Sequence, residues 1–361
     1  MKITLLIINF QLILLFLLAC LIPWLDSQYF WPVAFIGLAV PYLIILIIFF
    51  ILLWLSFKPR LALFSAIVLL VGYKQIIVVL ALHSNTPFDK TKKGNAIRII
   101  DWNVHSFNGL SKDNETKRLV RNEVVSSISN YNPDIICLQE FNHSADSLKG
   151  DNNISLFSNK YPYYFFSKDY SNKKNKYQSG CIIFSKYPVI NYGKTKFKVA
   201  ESLIYIDVVK GDDTVRIYTT HLQSYKFEKG DYDEIEKIEE EDKQALAGST
   251  SLIRKMGLAF KRRGNQANVV REETAKSPYP SVICGDFNEV PNSYVYFRIR
   301  GSRQDVFLKK DLGIGKSFIS LAPSLRIDYI LPDNNFDVLQ FDLVDENLSD
   351  HLMLVTDVKL K

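Results

Sequence analysis

The sequence predicts an α/β fold in which two packed β-sheets carry helices on their outer faces, preceded by three membrane-spanning helices. Residues 1–82 hold only five formally charged side chains and contain three apolar blocks. Each block approaches the ~20 residues that a helix needs to cross a bilayer. From about residue 96 onward, apolar strand-like runs recur with few helical segments between them. Strands that are apolar on both faces favour two sheets packed together and covered by helices.

The three apolar blocks lie at about residues 3–23, 32–55 and 61–82. Aromatic rings favour the membrane interface, and several stand near the ends of these blocks or in their connections. They are Trp24, Tyr29, Trp31, Trp54 and Tyr73. A cleaved signal peptide would explain the first block only, and no small-residue cleavage pattern follows it. Three such blocks in succession are unusual for a soluble protein, so we predict a membrane anchor over residues 1–82.

The connections between the blocks predict the orientation of the anchor. Lys58 and Arg60 make the second connection basic, whereas residues 26–31 carry only an acid. The positive-inside rule then places the basic connection and the N-terminus in the cytoplasm, and three spans deliver the following chain to the outer face. Lys74 opposes a third span, because a charge inside a span costs roughly 2.5–3.5 kcal/mol. If the third block only lay on the membrane surface, the rest of the chain would be on the other side.

The rest of the chain is nearly neutral. Without the four basic and one acidic residues of 1–82, 40 basic and 37 acidic side chains remain, a net charge of +3. A dedicated duplex-DNA-binding protein usually has a stronger basic footprint. The four cysteines are widely spaced and lack the pair spacing of zinc sites, so we interpret them as small buried apolar residues. They are Cys20, Cys137, Cys181 and Cys284.

After a polar linker at residues 83–95, the elements follow in order. "AIRIIDWNV" predicts a first buried strand, and residues 115–130 have helical spacing. One side of that helix is predicted to carry Leu119, Val120, Val124 and Ile128. The further predicted strands are "PDIICLQE", "SGCIIFSKYPV", "SLIYIDVV", "TVRIYTTHL", "SVICGDFN", "RIDYILP" and "HLMLVTDVKL".

Residues 225–276 interrupt this series of strands. The stretch 228–242 contains nine acids and two lysines, whereas 254–276 contains seven bases and two acids. Both stretches have helix-forming composition. One interpretation is a solvated helical pair joined by surface ion pairs. The other is a lid or a partner surface beside a functional site.

Six short strings place polar residues where apolar strands end. These strings are "WNV", "LQE", "TTHL", "GDFN", "RIDYI" and "LSDH", and they carry Asn103, Glu140, His221, Asp286, Asn288, Asp328, Asp350 and His351. Each string has an ordinary explanation by itself, and "GDFN" could be an Asx turn that closes a strand. Alternatively, Asp286 and Asn288 are two residues apart and would share one face of an extended strand. Burying so many unpaired polar groups without a function would cost about 1–3 kcal/mol for each.

In order and in local sequence, these strings resemble the endonuclease/exonuclease/phosphatase superfamily. That superfamily includes pancreatic-type deoxyribonucleases, abasic-site endonucleases, neutral sphingomyelinases and inositol polyphosphate 5-phosphatases. The resemblance spans about residues 97–360 and implies a four-layer α/β sandwich, with two mixed β-sheets flanked by helices. The predicted catalytic domain is therefore 96–361, with a charged helical insertion at about 225–276. The resemblance also implies cleavage of phosphate esters that depends on Mg²⁺ or Mn²⁺.

The residue types suit that chemistry. Phosphoryl transfer needs an in-line oxygen nucleophile and neutralisation of the charge on the phosphate oxygens. A hard cation such as Mg²⁺ takes oxygen ligands and keeps several waters, so one or two carboxylates suffice. Glu140 is the first predicted ligand, Asn103 lies beside it, and Asp350 is a further or water-mediated ligand.

The remaining residues of the strings are predicted to be catalytic. Asp286 would orient or deprotonate the attacking water, and Asn288 would hold that water or a phosphate oxygen. His351 would act as a general base or, when protonated, as a hydrogen-bond donor to phosphate. Asp328 would pair with His351 and raise its pKa.

His221 would donate a hydrogen bond to a second phosphate oxygen, and its candidate carboxylate partner is Glu201. His105 follows Asn103 by two residues and could share the same face, but a structural role is the simpler interpretation.

The leading prediction is a membrane-anchored phosphoesterase that works by in-line attack of water, most consistent with a phosphodiesterase acting on nucleic acid. The alternative within the superfamily is a phospholipid or sphingomyelin headgroup hydrolase or phosphatase, which anchoring near lipid favours. An inactive membrane-tethered binding module is the alternative of a different class. The expected partners are the phosphate-ester substrate and the lipid bilayer, and no sequence feature predicts an oligomeric state.

Overall fold

A computed structural model describes residues 2–83, 86–108, 114–144, 152–172, 174, 176–199, 201–225, 245–320 and 322–361. The N-terminal helices are α1 (Lys2–Ala19), α2 (Ala34–Phe57), α3 (Pro59–Val71) and α4 (Tyr73–Ile77). The later helices are α5 (Asn114–Asn130), α6 (Ser155–Ser158), α7 (Ala245–Ala275), α8 (Tyr294–Arg300) and α9 (Val306–Lys310).

Two helical segments, Ile3–Trp24 and Trp31–Phe57, are long and apolar enough to cross a membrane. A signal sequence or the core helix of a soluble protein can share that length and composition. The structure confirms that the first two predicted blocks are apolar helices.

The prediction of a third spanning helix over residues 61–82 is wrong. This block divides into α3, which has 13 residues and a length of about 20 Å, the short α4, and the start of a strand. Gly72 separates the two helices, and a Cβ there would lie 2.3 Å from the ring of Phe16. Buried Gln75 then donates from Nε2 to the carbonyl oxygen of Ala19 at 3.0 Å. A buried amide that needs such a partner favours an end to the apolar helix at this point.

The strands are β1 (Ala81–Leu82), β2 (Ile97–Asn103), β3 (Ile135–Ser144), β4 (Tyr163–Phe166), β5 (Tyr170–Asn172), β6 (Tyr177–Ser185), β7 (Val189–Lys196), β8 (Ser202–Lys210), β9 (Asp213–His221), β10 (Ser281–Asp286), β11 (Leu312–Gly313), β12 (Asp328–Pro332), β13 (Phe336–Val344) and β14 (Met353–Leu360). Among the described residues, one sheet has the order β12-β10-β9-β8-β7. The second has the order β13-β14-β2-β3-β6-β4, with β5 also paired to β6. The pairs β9–β10 and β2–β3 are parallel and the neighbouring pairs are antiparallel, so both sheets are mixed as predicted.

The two sheets pack face to face around one apolar core. Successive side chains of a strand point to opposite faces, so Ile99 of β2 lies between the sheets and Ile100 lies on the outer face. Helix α5 covers that outer face with Val120, Val124 and Ile128. Leu119 was predicted on the same side of the helix, but its side chain is 56% exposed.

The outer face of the five-stranded sheet is covered by α7 and α8. Ala267 and Val270 of α7 are fully buried there together with Ile283 of β10. The basic half of the charged stretch therefore forms part of a layer of the fold and is not a solvated helix. The acidic stretch 228–242 lies outside the described residues.

The N-terminal helices pack directly on the two-sheet part of the chain through the turn between α1 and α2. Asp26 Oδ2 accepts a hydrogen bond of 2.8 Å from Asn268 Nδ2 of α7. Gly257 of α7 lies against Trp31, and a Cβ at this position would approach the indole ring to 2.7 Å. The turn and α7 therefore form a close-packed contact.

Candidate active site

The edge of the five-stranded sheet brings four of the candidate site residues together. Strands β9 and β10 are parallel and therefore end at the same edge, where His221 and Asp286 are aligned with each other. The antiparallel strand β12 begins at that edge, and its first residue Asp328 is aligned with Asp286. Glu201 directly precedes β8, which also begins there.

The seven-stranded sheet contributes the remaining candidate residues from the edge that faces this one. Asn103 ends β2, Glu140 lies in the parallel neighbour β3, and Asp350 and His351 precede β14. A pocket of about 220 Å³ opens between the two edges. Six of the eight predicted residues line it, and the other two, Asn103 and Asp328, touch lining side chains from behind.

Glu140 is turned into the pocket by an irregularity in its strand. The register between β3 and β6 shifts between Leu138 and Phe141, and Glu140 has a φ of 50°, in the left-handed region. A bulge of this kind re-aims a side chain next to a functional site. The carboxylate remains 35% exposed, and its Oε1 lies 3.4 Å from Asn103 Nδ2.

Asn103 links the two sheets. Its Nδ2 also donates to Asp286 Oδ2 at 3.1 Å, and its Oδ1 accepts from the backbone N–H of His105 at 3.0 Å. Ser349 Oγ donates to its carbonyl oxygen at 2.7 Å. In this arrangement the amide nitrogen faces the two carboxylates. Asn103 therefore orients Glu140 and Asp286, and its role as a metal ligand stays a prediction.

Asp286 has two different environments for its two oxygen atoms. Oδ1 accepts from the backbone N–H of Asn288 at 2.8 Å, which is the Asx turn considered from the sequence. Oδ2 faces the pocket, 3.5 Å from His221 Nε2 and 3.8 Å from His351 Nε2. Burial and the nearby Asp328 raise the pKa of Asp286 to about 6.

Asn288 does not continue the strand. Strand β10 ends at Asp286, and Asn288 has a φ of 52°, so the extended spacing is not the reason that both residues line the pocket. The turn places them there, and Asn288 Nδ2 donates to the carbonyl oxygen of Leu222 at 3.0 Å.

His351 is held by Asp328, as the sequence predicts. Nδ1 lies 3.0 Å from Asp328 Oδ2, which in turn accepts from Ser317 Oγ at 2.6 Å. Nε2 is left facing Asp286 and the pocket. Burial alone would lower the pKa of His351, but Asp328 and Asp286 raise it to about 10. The two carboxylates favour the protonated imidazole, and of the two predicted roles the hydrogen-bond donor suits it better.

His221 lies beside the predicted partner Glu201, with Nδ1 and Oε1 3.6 Å apart. Burial opposes the charged form of His221, but Glu201, Asp286 and Glu140 together raise its pKa above the usual value. Burial also raises the pKa of Glu201 to about 7. His221 Nε2 lies 3.9 Å from Glu140 Oε1, so this side chain reaches the centre of the site.

His105 pairs with Asp350 at the rim of the pocket, with 3.2 Å between Nδ1 and Oδ1. Burial would raise the pKa of Asp350, but the bond from His105 and the charge of His351 lower it. His105 therefore stabilises the ionised form of Asp350.

The donor set fits a hard divalent cation. Glu140 and Asp350 present partly exposed carboxylates to one pocket, and Asp286 adds a third carboxylate. Carboxylate oxygens with open space for water are the ligands that Mg²⁺ and Mn²⁺ prefer. The predicted ligands would hold such an ion at the polar side of the pocket.

The sequence reasoning missed several residues of the site, among them Ser317, Phe318 and Leu38. Ser317 orients Asp328, and the ring of Phe318 lies 4.9 Å from that of His351. Neither belongs to a recognisable string. Leu38 of α2 also lines the pocket, although its surroundings in the sequence are uniformly apolar.

Comparisons with known proteins identify a family for most of the chain. Residues 102–351 match the model of the Endonuclease/Exonuclease/phosphatase family, and residues 2–79 match a family described only as a domain of unknown function. No curated protein matches the chain in sequence.

Solved structures share the fold at low sequence identity. An endonuclease/exonuclease/phosphatase from Beutenbergia cavernae DSM 12333 is 21% identical, with a TM-score of 0.53 over 73% of this chain and 72% of that one. The human Nocturnin catalytic domain is 20% identical, with a TM-score of 0.52 over 75% and 97%. The D. rerio TDP2 structure, complexed with a single-strand DNA product, is 16% identical, with a TM-score of 0.50 over 74% and 100%.

The family match covers more than half of the chain and includes every predicted site residue. The family consists of phosphoesterases that typically use a divalent metal ion. This chain belongs to the endonuclease/exonuclease/phosphatase family of phosphoric ester hydrolases.

Proposed function

We propose that the chain is a membrane-anchored phosphoesterase that hydrolyses a phosphate ester by in-line attack of water, with a bound Mg²⁺ or Mn²⁺. The observation that carries this proposal is the arrangement of the pocket. The carboxylates of Glu140 and Asp350 occupy its rim, and the Nε2 atoms of His221 and His351 converge on Asp286. The pocket thus presents both carboxylate ligands for a cation and hydrogen-bond donors for an anionic phosphate.

A metal ion held by Glu140, with Asn103 and Asp350 nearby, would neutralise charge on the phosphate oxygens. Asp286 would orient the attacking water and receive its proton, for which a pKa of about 6 is suitable. Asn288, in the adjoining turn, would hold the same water or a phosphate oxygen.

The two histidines would stabilise the negative charge that develops on the transferred group. His351, kept cationic by Asp328, would donate from Nε2 to one non-bridging oxygen. His221 would donate to a second one. Preorganised donors of this kind stabilise the transition state because they need no reorientation during the reaction. The inactive-module alternative has no support here, since each position that hydrolysis needs is filled.

Removal of divalent metal is expected to abolish the activity. The full chain, purified in detergent and treated with EDTA, should lose more than about 99% of its turnover of bis-p-nitrophenyl phosphate, since metal ions supply several kcal/mol of charge stabilisation. Added Mg²⁺ or Mn²⁺ should restore turnover. Full activity in excess EDTA would contradict a metal-dependent mechanism.

Nucleic acid, the substrate class predicted first from the sequence, gains no support from the basic stretch 254–276. Arg263 is fully buried and bonded to Glu289 at 2.9 Å. Lys261 lies over the ring of Trp31, 5.6 Å from its centroid. Arg263 is therefore unavailable to a ligand, and the exposed Lys261 and Lys276 are engaged with Trp31 and Glu273, whereas binding of a polynucleotide needs clustered free cations. Cleavage of plasmid or single-stranded DNA by the purified chain would test this prediction directly.

Exposed apolar side chains support the membrane anchor. In each long helix, only 28% of the most apolar 18-residue stretch is buried. The core helix of a soluble protein would instead be mostly buried. Large side chains point outward along the full length of both helices, among them Leu14, Ile45, Phe49 and Leu52. Contiguous exposed apolar surface of this extent is typical of a membrane-facing protein.

The packing of the helices also supports the catalytic domain on the outer face. Leu5 and Leu6 of α1 pack with Trp54 of α2, so the N-terminus lies at the same end as the basic turn Lys58–Arg60. The opposite end, with Asp26, contacts the catalytic domain. The positive-inside rule places the basic end in the cytoplasm, and therefore the domain outside. This orientation requires α3 and α4, joined at Gly72, to return the chain together from the basic end to the domain end.

Reporter fusions would test this orientation in a bacterial host. Green fluorescent protein attached after Lys361 is expected to remain dark, because it does not mature outside the cytoplasm after export unfolded, whereas alkaline phosphatase at the same position should be active. The matched control is green fluorescent protein attached after Lys58, which should fluoresce. Fluorescence from both fusions would overturn the outer location.

A further inference from the structure

The membrane helix α2 contributes to the active site itself. We propose, on the basis of the proposed phosphoesterase function, that the substrate is a phosphate ester of a membrane lipid. Its phosphate would bind the catalytic side chains while its apolar part lies against α2. Leu38 is the side chain of α2 that lines the catalytic pocket.

The pocket is lined by two chemically distinct sets of side chains. One set comprises the carboxylates and histidines described above. The apolar set, which we call the apolar wall, consists of Leu38, Val290, Phe318, Leu325 and Ile327. A ligand that matches both sets has an anionic phosphate joined to an apolar group. Lipid phosphate esters have this structure, whereas a polynucleotide presents charged phosphates on both sides of each ester.

Helix α2 is held at the pocket by close contacts. Gly37 lies against the catalytic domain, and a Cβ there would approach the carbonyl oxygen of Asn292 to 2.5 Å. Asn292 Nδ2 in turn donates to Gln75 Oε1 at 2.8 Å, which joins α2 and α4 to the same loop. One turn after Leu38, the hydroxyl of Tyr42 lies 3.5 Å from Ser324 Oγ. Leu38 is therefore a fixed part of the pocket wall.

The pocket also lies at the depth where lipid phosphates lie. Exposed aromatic residues mark the membrane–water interface, and those at the domain end of the helices are Trp24, Tyr29, Phe30, Tyr42 and Tyr73. Leu38 falls within this group along the chain, between Phe30 and Tyr42. A lipid in the adjoining leaflet would thus meet the catalytic residues without leaving the bilayer.

The test compares a lipid substrate with a soluble one, using the full chain in nanodiscs. Nanodiscs of phosphatidylethanolamine and phosphatidylglycerol would be incubated with Mg²⁺, and released diacylglycerol and phosphatidic acid would be measured by mass spectrometry. We expect release of one of these products. L38W should lower lipid turnover at least about tenfold more than it lowers turnover of bis-p-nitrophenyl phosphate, because the indole would occupy the apolar wall. L46W changes an exposed residue of the same helix and should leave both rates unchanged.

The outcomes separate this proposal from the proposed function. Hydrolysis of the soluble ester without any lipid product would overturn the lipid substrate and leave the phosphoesterase standing. Equal losses of turnover for both substrates in L38W would also overturn the lipid substrate. The substitution would then disturb the structure of the site without any selective effect on lipid binding. A wild-type protein that hydrolyses neither substrate would overturn the phosphoesterase function itself.

Discussion

Replacing His351 by alanine is expected to lower kcat for the phosphate ester by about 10²–10⁴-fold. The substitution removes the donor that Asp328 holds in place. His221, the other imidazole beside Asp286, is proposed to bind a different phosphate oxygen and would not replace it. The fold should survive, because Asp328 keeps its hydrogen bond from Ser317 Oγ at 2.6 Å. Steady-state kinetics on bis-p-nitrophenyl phosphate, with metal affinity measured in parallel, would check this prediction.

His83→Ala is the matched control, because His83 is exposed and lies outside the pocket. It should retain wild-type kinetics. His351→Gln retains a neutral donor and should recover part of the lost rate if hydrogen bonding to phosphate is the main role. A His351→Ala variant that turns over substrate within threefold of wild type would exclude His351 from the chemistry.

Replacing Glu140 by glutamine is expected to remove divalent-metal binding and, with it, catalysis. Glutamine has nearly the same shape as glutamate but lacks its negative charge. The other carboxylate at the rim of the pocket, Asp350, is already paired with His105. Changes around metal sites typically cost 10–100-fold in affinity even when they affect only supporting residues, so loss of a direct ligand should weaken Mn²⁺ binding by at least about 100-fold. Electron paramagnetic resonance of free Mn²⁺ would measure this affinity.

Glu123→Gln is the corresponding control, since Glu123 is an exposed carboxylate on α5. It should bind Mn²⁺ as the wild type does. The two substitutions in the site should also differ from each other, because His351→Ala lowers turnover with metal affinity retained and Glu140→Gln lowers both. Unchanged Mn²⁺ affinity in Glu140→Gln would move the metal site away from this carboxylate.

The sequence predicted the eight central residues because of where they stand along the chain. Asn103, His221 and Asp286 end strands, and Asp328 and His351 begin or precede strands that run the other way. In mixed sheets, the ends of parallel strands and the beginnings of antiparallel neighbours share an edge. Short strings at strand ends therefore carry information about a site whose residues lie far apart in the sequence.

The local sequence pattern did not predict side-chain direction where the backbone departs from regular geometry. Glu140 and Asn288 both have positive φ, and each is aimed into the pocket by a bulge or a turn, not by strand alternation. Gly72 likewise separates α3 from α4, at a point where Phe16 of α1 leaves no room for a side chain. These conformations depend on the surrounding chain, which a uniform apolar or polar pattern does not encode.

The sequence by itself determined the two mixed sheets, the apolar helices α1 and α2, and the identity of the polar residues at the site. Only the tertiary structure decided that the third apolar block is divided at Gly72 into α3 and α4, that Ser317 supports Asp328, and that Leu38 lines the catalytic pocket. The physical reason is that periodicity and strand-end chemistry are properties of neighbouring residues. The contact of α2 with the pocket joins parts of the chain that are hundreds of residues apart, and it exists only once the anchor packs on the catalytic domain.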